Sequence, residues 1–241
     1  MEMEKGKQDL NETKEHFVRQ IFRDIASSYD FVNKVISLGM IHRWRRQMIR
    51  LASLPPEVTI LDLCTGTGKV AELLAEKISS GQVIGVDFSP EMIAIARRRL
   101  ENKYGELVKF ETGNAMELSF PDNTFDFVFI AFGLRNVEDI EQVLLEMRRV
   151  INNGGEAFVL DLARPRGRIL SALYYFYFNQ LLPRLDGIIQ GKKEAYTYLS
   201  RSLRSYPDQD KLKQLFYRTG FKKVSYKELT GGVVTVHRGV K

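Results

Sequence analysis

The chain has 241 residues, 44% of them hydrophobic and 27% charged, which suits one α/β domain with additions and a substantial core. Its net charge of +6 and pI ≈ 9.3 permit an anionic membrane surface or RNA as partner without demanding either. Cys64 is the only cysteine, which excludes an intramolecular disulfide and points to the cytoplasm.

No apolar run reaches the ~18 residues needed to span a bilayer, and the charged N-terminus lacks a signal-peptide core. The expectation is a soluble protein, at most peripheral at the inner face of a membrane. Residues 1–16 are polar. From Phe17 to Tyr29 the apolar positions Phe17, Val18, Ile21, Phe22, Ile25 and Ala26 recur at helical spacing. Tyr29 to Gly39 and His42 to Arg46 continue this N-terminal unit, expected to form a helical lid over residues 17–50. Trp44 reads as packing within that cap, and Arg43, Arg45 and Arg46 as a solvated helix face.

The stretch Val58 to Gly68 (VTILDLCTGTG) organises the rest of the chain. Its apolar and β-branched opening reads as a buried parallel strand, the glycines as a turn, and Lys69 to Lys77 as a helix. Strand, glycine turn and helix open a nucleotide-binding βαβ unit. Gly66 and Gly68 let backbone approach a ligand closely, and Asp62 fits a ligand's cationic group better than a pyrophosphate. A second strand, Gln82 to Asp87, ends in an acid suited to both hydroxyls of a ribose. Ser89 and Pro90 cap and open a helix over Pro90 to Tyr104. Asn114 and Ala115 come after a third strand, Val108 to Thr112, where an amide can read an adenine edge. Phe125 to Ile130 is a fourth strand, Ile140 to Ile151 a helix, and a fifth strand ends near Ala163.

Gly167 to Leu185 is apolar nearly all round a helix, with five consecutive aromatics from Tyr174 to Phe178. It reads as a helix buried against the domain or a homodimer partner, or as a greasy wall for a lipid tail; the two are compatible. Residues 222–229 and 233–240 form a closing hairpin across Thr230, Gly231 and Gly232. The expected fold is therefore α/β, a doubly wound, mostly parallel seven-stranded sheet. One domain spans 1–241: a lid at 17–50, a cofactor core at 51–163, a helical insertion at 164–210 and a closing helix and hairpin at 211–241.

The pattern D-x-x-x-G-x-G, the second-strand acid and N-A together resemble the S-adenosylmethionine site of class I methyltransferases. A dinucleotide site would carry a third glycine where Ala71 stands. The resemblance implies cofactor binding by Asp62, Thr65, Gly66, Thr67, Gly68, Asp87, Phe88, Asn114, Ala115 and Ala131, with no metal. A narrower resemblance runs along nearly the whole chain. Y-D-x-x-N-x-x-x-S-x-G from Tyr29, followed by His42-Arg43-Trp44-Arg45-Arg46, is similar to the signature of the menaquinone and ubiquinone biosynthesis C-methyltransferases. So are Phe132 to Val137 (FGLRNV), Tyr196 to Leu199 with Ser202, Leu203, Tyr206 and Pro207, and Gly231 to His237. Val32 replaces the family's usual Met, Asn152 and Asn153 replace K-P before two glycines, and Asp161 and Ala163 stand in its E-F-S ending.

This resemblance implies C-methylation of a demethylated isoprenoid quinol, demethylmenaquinol above all. The ring carbon becomes nucleophilic only when a ring hydroxyl gives up its proton, so a base or a cation is needed beside it. The candidates are Arg135, Asn136, Tyr29, Asp30 and His237. A soluble enzyme acting on a lipid-dissolved quinol also implies a weak membrane-surface contact through residues 167–185 and their flanking cations. Three alternatives are a methyltransferase for another small phenol, one for RNA, and a non-catalytic cofactor-binding protein. No nucleic-acid-binding appendage is evident.

Overall fold

The computed structural model describes residues 29–181, 202–203 and 205–241. The expected helix from Phe17 to Ser28, residues 182–185 of the apolar segment and the Tyr196 to Leu199 motif lie outside them.

Two helices, α1 (Tyr29–Ile36) and α2 (Ile41–Leu51), precede the sheet. The alternating units are β1 (Glu57–Leu63), α3 (Lys69–Ala75), β2 (Ser80–Asp87), α4 (Pro90–Tyr104), β3 (Val108–Thr112), β4 (Phe125–Ala131), α5 (Ile140–Val150) and β5 (Ile151–Leu162). Then come α6 (Arg168–Phe176) with a π-helical turn at Tyr177–Leu181, α7 (Gln209–Arg218), β6 (Lys222–Leu229) and β7 (Val234–Val240).

The seven strands lie in the order β3-β2-β1-β4-β5-β7-β6. Those from β1 to β5 are parallel, and β7 runs antiparallel to both β5 and β6. β1 is central because both its faces are covered: Val58, Ile60, Leu61 and Leu63 are all buried, as a strand with helices above and below must be. The order reverses between β1 and β4, so their carboxyl ends flank the crevice where ligands bind in doubly wound sheets. Alternation then splits the core. Phe129, Phe158 and Val236 face α2, α3 and α4 on one side, and Val128, Ile130 and Val159 face α5 and α7 on the other.

Local chemistry agrees with these boundaries. Ser89 caps α4, its Oγ accepting from Met92 N, and Asp139 and Asp208 cap α5 and α7 in the same way. The arginine cluster of α2 divides: Arg43 and Arg46 face solvent as expected, whereas Arg45 is buried beside Trp44, Met48 and Ile49. The aromatic run of α6 divides too. Tyr174 and Phe178 are core residues in contact, ring centroids 4.6 Å apart, while Tyr175 and Phe176 are exposed.

Gly68 is needed for packing as much as for backbone freedom. Its φ is +77°, and a Cβ there would stand 2.8 Å from Leu100 Cδ1, 3.1 Å from Phe110 Cζ and 3.2 Å from Ala96 Cβ. Gly68→Ala is therefore expected to destabilise the fold by about 2 kcal/mol or more, combining left-handed strain with overpacking. Chemical denaturation checks this, and an unchanged midpoint would refute it.

Candidate functional site

The turn after β1 is tied down by two buried acids. Asp62 accepts through Oδ2 from Thr65 Oγ1 (2.6 Å) and from Ala71 N (3.1 Å). Asp87, at the end of β2, accepts through Oδ2 from Gly66 N (2.8 Å) and through Oδ1 from Ser89 N (3.0 Å). Burial raises both carboxyls, Asp62 to about 7 and Asp87 to about 6, and these hydrogen bonds hold the shifts back. Asp62 thus shapes the turn from beneath and does not line the cavity, contrary to its expected contact with a ligand's cationic group. Gly68 and Ala131 do not line it either.

A cavity of about 230 Å³ opens at the carboxyl ends of β1, β2 and β4. Gly66, Asp87, Phe88, Asn114 and Ala115 line it, together with Tyr29 and Asn136. At Gly66 φ is +57° and the space above is open, with only Tyr29 Cε1 within reach, 3.8 Å from where a Cβ would stand. A carboxylate offers about four acceptor positions, so the Gly66 and Ser89 bonds leave Asp87 able to accept from two hydroxyls. Asn114 Oδ1 is held by Met116 N (2.9 Å), which fixes the amide and leaves its NH₂ to donate. These residues fit the ribose and the adenine of an adenosyl cofactor.

The turn also meets α1. Thr67 Oγ1 donates to the Asp30 carboxylate (3.0 and 3.1 Å), and Lys69 approaches the same acid at 4.0 Å. Thr65 and Thr67 are buried within the turn. Asp30 therefore joins α1 to the glycine turn and is not among the cavity-lining residues.

Arg135, the chain neighbour of the lining residue Asn136 but not itself a lining residue, forms a buried ion pair. Its Nη1 lies 2.5 Å from Asp161 Oδ1, and its backbone N donates to Asp161 Oδ2 (3.2 Å). The hydroxyls of Tyr174 and Tyr206 are buried with no hydrogen-bond partner among the described residues. Tyr29 is raised by burial, an effect the Arg135 charge opposes, so it stays a protonated donor.

His237 is not brought to the site. It lies on β7 opposite Val159 and Tyr226, packed against Phe216, with Nε2 2.8 Å from Gln209 O. Burial lowers it to about 4, so it is a neutral core residue at physiological pH.

Sequence reasoning passed over Cys64, Met92, Gly133 and Glu138 as lining residues. One signal was present. Cys64 and Phe132 directly succeed the adjacent strands β1 and β4, and both have positive φ, +52° and +61°. Such strain in non-glycine residues gathers at ligand sites.

Comparison with known proteins agrees with this geometry. A model of the ubiE/COQ5 methyltransferase family matches residues 7–241. The demethylmenaquinone methyltransferase of Shouchella clausii is 38% identical over 96% of this chain and 99% of its own. The ubiquinone/menaquinone biosynthesis C-methyltransferase UbiE of Shewanella frigidimarina is 37% identical over 95% of this chain and 92% of its own. A solved SAM-dependent methyltransferase of Thermotoga maritima, described as a possible histamine N-methyltransferase, shares the fold with a TM-score of 0.65. It is 23% identical, over 92% of this chain and 99% of that one.

The ionised form of Asp87 is the one that accepts two hydroxyl donors. Affinity for S-adenosylmethionine is therefore expected to be full above about pH 7 and to fall as pH drops through about 6. Asp87→Ala should weaken binding by about 1–3 kcal/mol and flatten that dependence. Calorimetry across pH 5 to 8 checks both, and a pH-independent wild type would refute the assignment.

Proposed function

Because the chain belongs to the ubiE/COQ5 methyltransferase family, we propose that it transfers a methyl group from S-adenosylmethionine to a ring carbon of a demethylated isoprenoid quinol, converting demethylmenaquinol to menaquinol. The carrying observation is that 38% identity to a demethylmenaquinone methyltransferase extends over 96% of the chain.

Bound S-adenosylmethionine supplies an electrophilic methyl on a sulfonium that departs as a neutral thioether. The residues of this chain position the partners and manage one proton. Asp87 and Asn114 hold the nucleoside end. Tyr29 and Asn136, both lining the cavity, take the quinol oxygen. The Arg135 guanidinium, pinned by Asp161, favours the anionic ring oxygen electrostatically. The C–C bond forms with a ring electron pair, and the pair of the broken C–S bond stays on sulfur. The displaced ring proton then leaves to solvent, restoring aromaticity. Asp30 acts at one remove, holding α1 on the turn through Thr67.

In this reading α1 and α2 serve as the lid and residues 164–210 as the substrate side. Among the described residues no helix is long and apolar enough to cross a membrane. Lipid-dissolved substrate enters where Leu38 (77% exposed), Phe31, Ile169 (80% exposed), Leu173, Tyr175 and Phe176 expose apolar surface. Tyr177 Oη donates to Ile36 O (2.9 Å) and brings α6 beside α1. The surface makes a reversible membrane contact, mainly apolar because Arg164 and Arg166 already bind Tyr206 O and Asp210. Of the other flanking cations, Arg168 is exposed at the start of α6, and Arg184, Lys192 and Lys193 lie outside the described residues. A homodimer formed through this face would hide it from lipid, and a vesicle-binding assay beside sedimentation separates the two.

Purified protein is expected to add one methyl to reduced demethylmenaquinol, with the label on carbon. Transfer to no quinol, despite cofactor binding, would reject the substrate. Asn136→Ala should lower turnover about tenfold, the scale of one hydrogen bond, with affinity for S-adenosylhomocysteine nearly unchanged. Unchanged turnover would remove Asn136 from the site.

A further inference from the structure

Arg45 is the only lysine or arginine buried among the described residues, 6% exposed. Its neighbours Arg43, Arg46 and Arg50 on α2 all face solvent. Its guanidinium makes no hydrogen bond or ion pair among the described residues, and its Nε is fully enclosed. A cation taken out of water without a partner carries a penalty of several kcal/mol. A helix with three solvated arginines had no need to bury a fourth for solubility, so the burial calls for an anion.

Among the described residues none supplies that anion. The groups facing Arg45 are Tyr29 and Asp30 of α1 and Asp62 of β1, with Arg99 of α4 opposing. Asp62 accepts from Thr65 and Ala71, and Asp30 accepts from Thr67 with Lys69 beside it, and neither carboxylate forms an ion pair with Arg45. The other cations near the turn are engaged: Arg99 with Glu72 and Thr67 O, Lys69 with Asp30 and Glu72, and Arg135 with Asp161.

Position adds the second half. Tyr29 both faces Arg45 and lines the cavity directly above Gly66. The helix bearing Arg45 packs on α3 and on β5, whereas Asp87 ends β2, on the other side of β1 in the sheet. A ligand with its ribose on Asp87 that crosses the glycine turn leads toward Arg45. S-adenosylmethionine carries a single anionic group, the α-carboxylate of its methionine part.

We propose that the Arg45 guanidinium binds the α-carboxylate of S-adenosylmethionine, closing α2 over the cofactor's amino-acid end. This rests on the reading that the cofactor occupies the cavity at Gly66 and Asp87. The same contact makes lid closure depend on the cofactor, since the buried charge is compensated only when the carboxylate is present.

The test needs no quinol. S-adenosylhomocysteine and 5′-methylthioadenosine share the nucleoside thioether, but only the first carries the amino acid. Both are titrated into wild type, Arg45→Met and Arg45→Lys by calorimetry, with unliganded melting temperatures alongside. Arg45→Met should lose about 10- to 100-fold in affinity for S-adenosylhomocysteine, the range for a hydrogen-bonded charge. Its affinity for 5′-methylthioadenosine should stay within about twofold of wild type, and Arg45→Lys should recover part of the loss. The unliganded Met variant should melt no lower than wild type, because an apolar side chain replaces an uncompensated buried charge. Equal loss on both ligands, no loss on either, or a lowered unliganded melting temperature in both variants would overturn the assignment. Wild type that binds neither ligand would instead overturn the cofactor reading beneath it.

Discussion

The hydrogen bond from Gly66 N to Asp87 Oδ2 couples the turn after β1 to the end of β2, and the site is built outward from it. It requires Gly66 at φ +57°, which L side chains adopt only with strain, and it requires a carboxylate taken out of water. Asp62 repeats the device one layer down, accepting from Thr65 and Ala71. Desolvation alone would neutralise both acids near physiological pH. The Thr65 hydroxyl and the backbone N–H groups of the turn and of the helix starts pull the other way, leaving Asp87 at about 6 and Asp62 at about 7. The turn therefore holds its shape and its acceptor capacity through the same bonds.

Three contacts from distant parts of the chain hang the roof on that base. Asp30 accepts from Thr67, Trp44 Nε1 donates to Thr230 Oγ1 (2.8 Å), and Tyr177 Oη donates to Ile36 O. Each contributes only about 1 kcal/mol, so α2 rests mainly on the burial of Trp44, Met48 and Ile49. An uncompensated Arg45 in this roof biases it toward opening when the cavity holds no anion.

The ion pair beyond the cavity obeys a different rule. Arg135 and Asp161 form a buried pair in which the carboxylate fixes the orientation of the guanidinium. Replacing one partner alone strands the other, and loss of function in such a variant reports structure as much as chemistry. Asp161 stands where the family's motif has glutamate, and its shorter side chain still reaches both the guanidinium and the backbone of Arg135. The hydroxyls of Tyr174 and Tyr206 are likewise enclosed without a hydrogen-bond partner among the described residues.

The sequence by itself determined the strands, the turn and the order of the units, because periodicity, glycines and caps are local properties. β3 and α4 begin and end where patterning placed them, and Ser89 caps as its type predicts. It also determined which acid ends β2 and which amide comes after β3, since the topology of parallel strands delivers consecutive carboxyl ends to one edge. What the sequence could not decide was direction. Whether Arg45 faces solvent or core, whether Phe178 is wall or interior, and whether Asp62 meets ligand or backbone each depend on what packs against the residue from elsewhere. His237 shows the same limit: a histidine in a family-like motif becomes a neutral core group because β6, β7 and α7 close around it. Burial and partner choice are set by long-range contacts between segments, and those exist only once the sheet has formed.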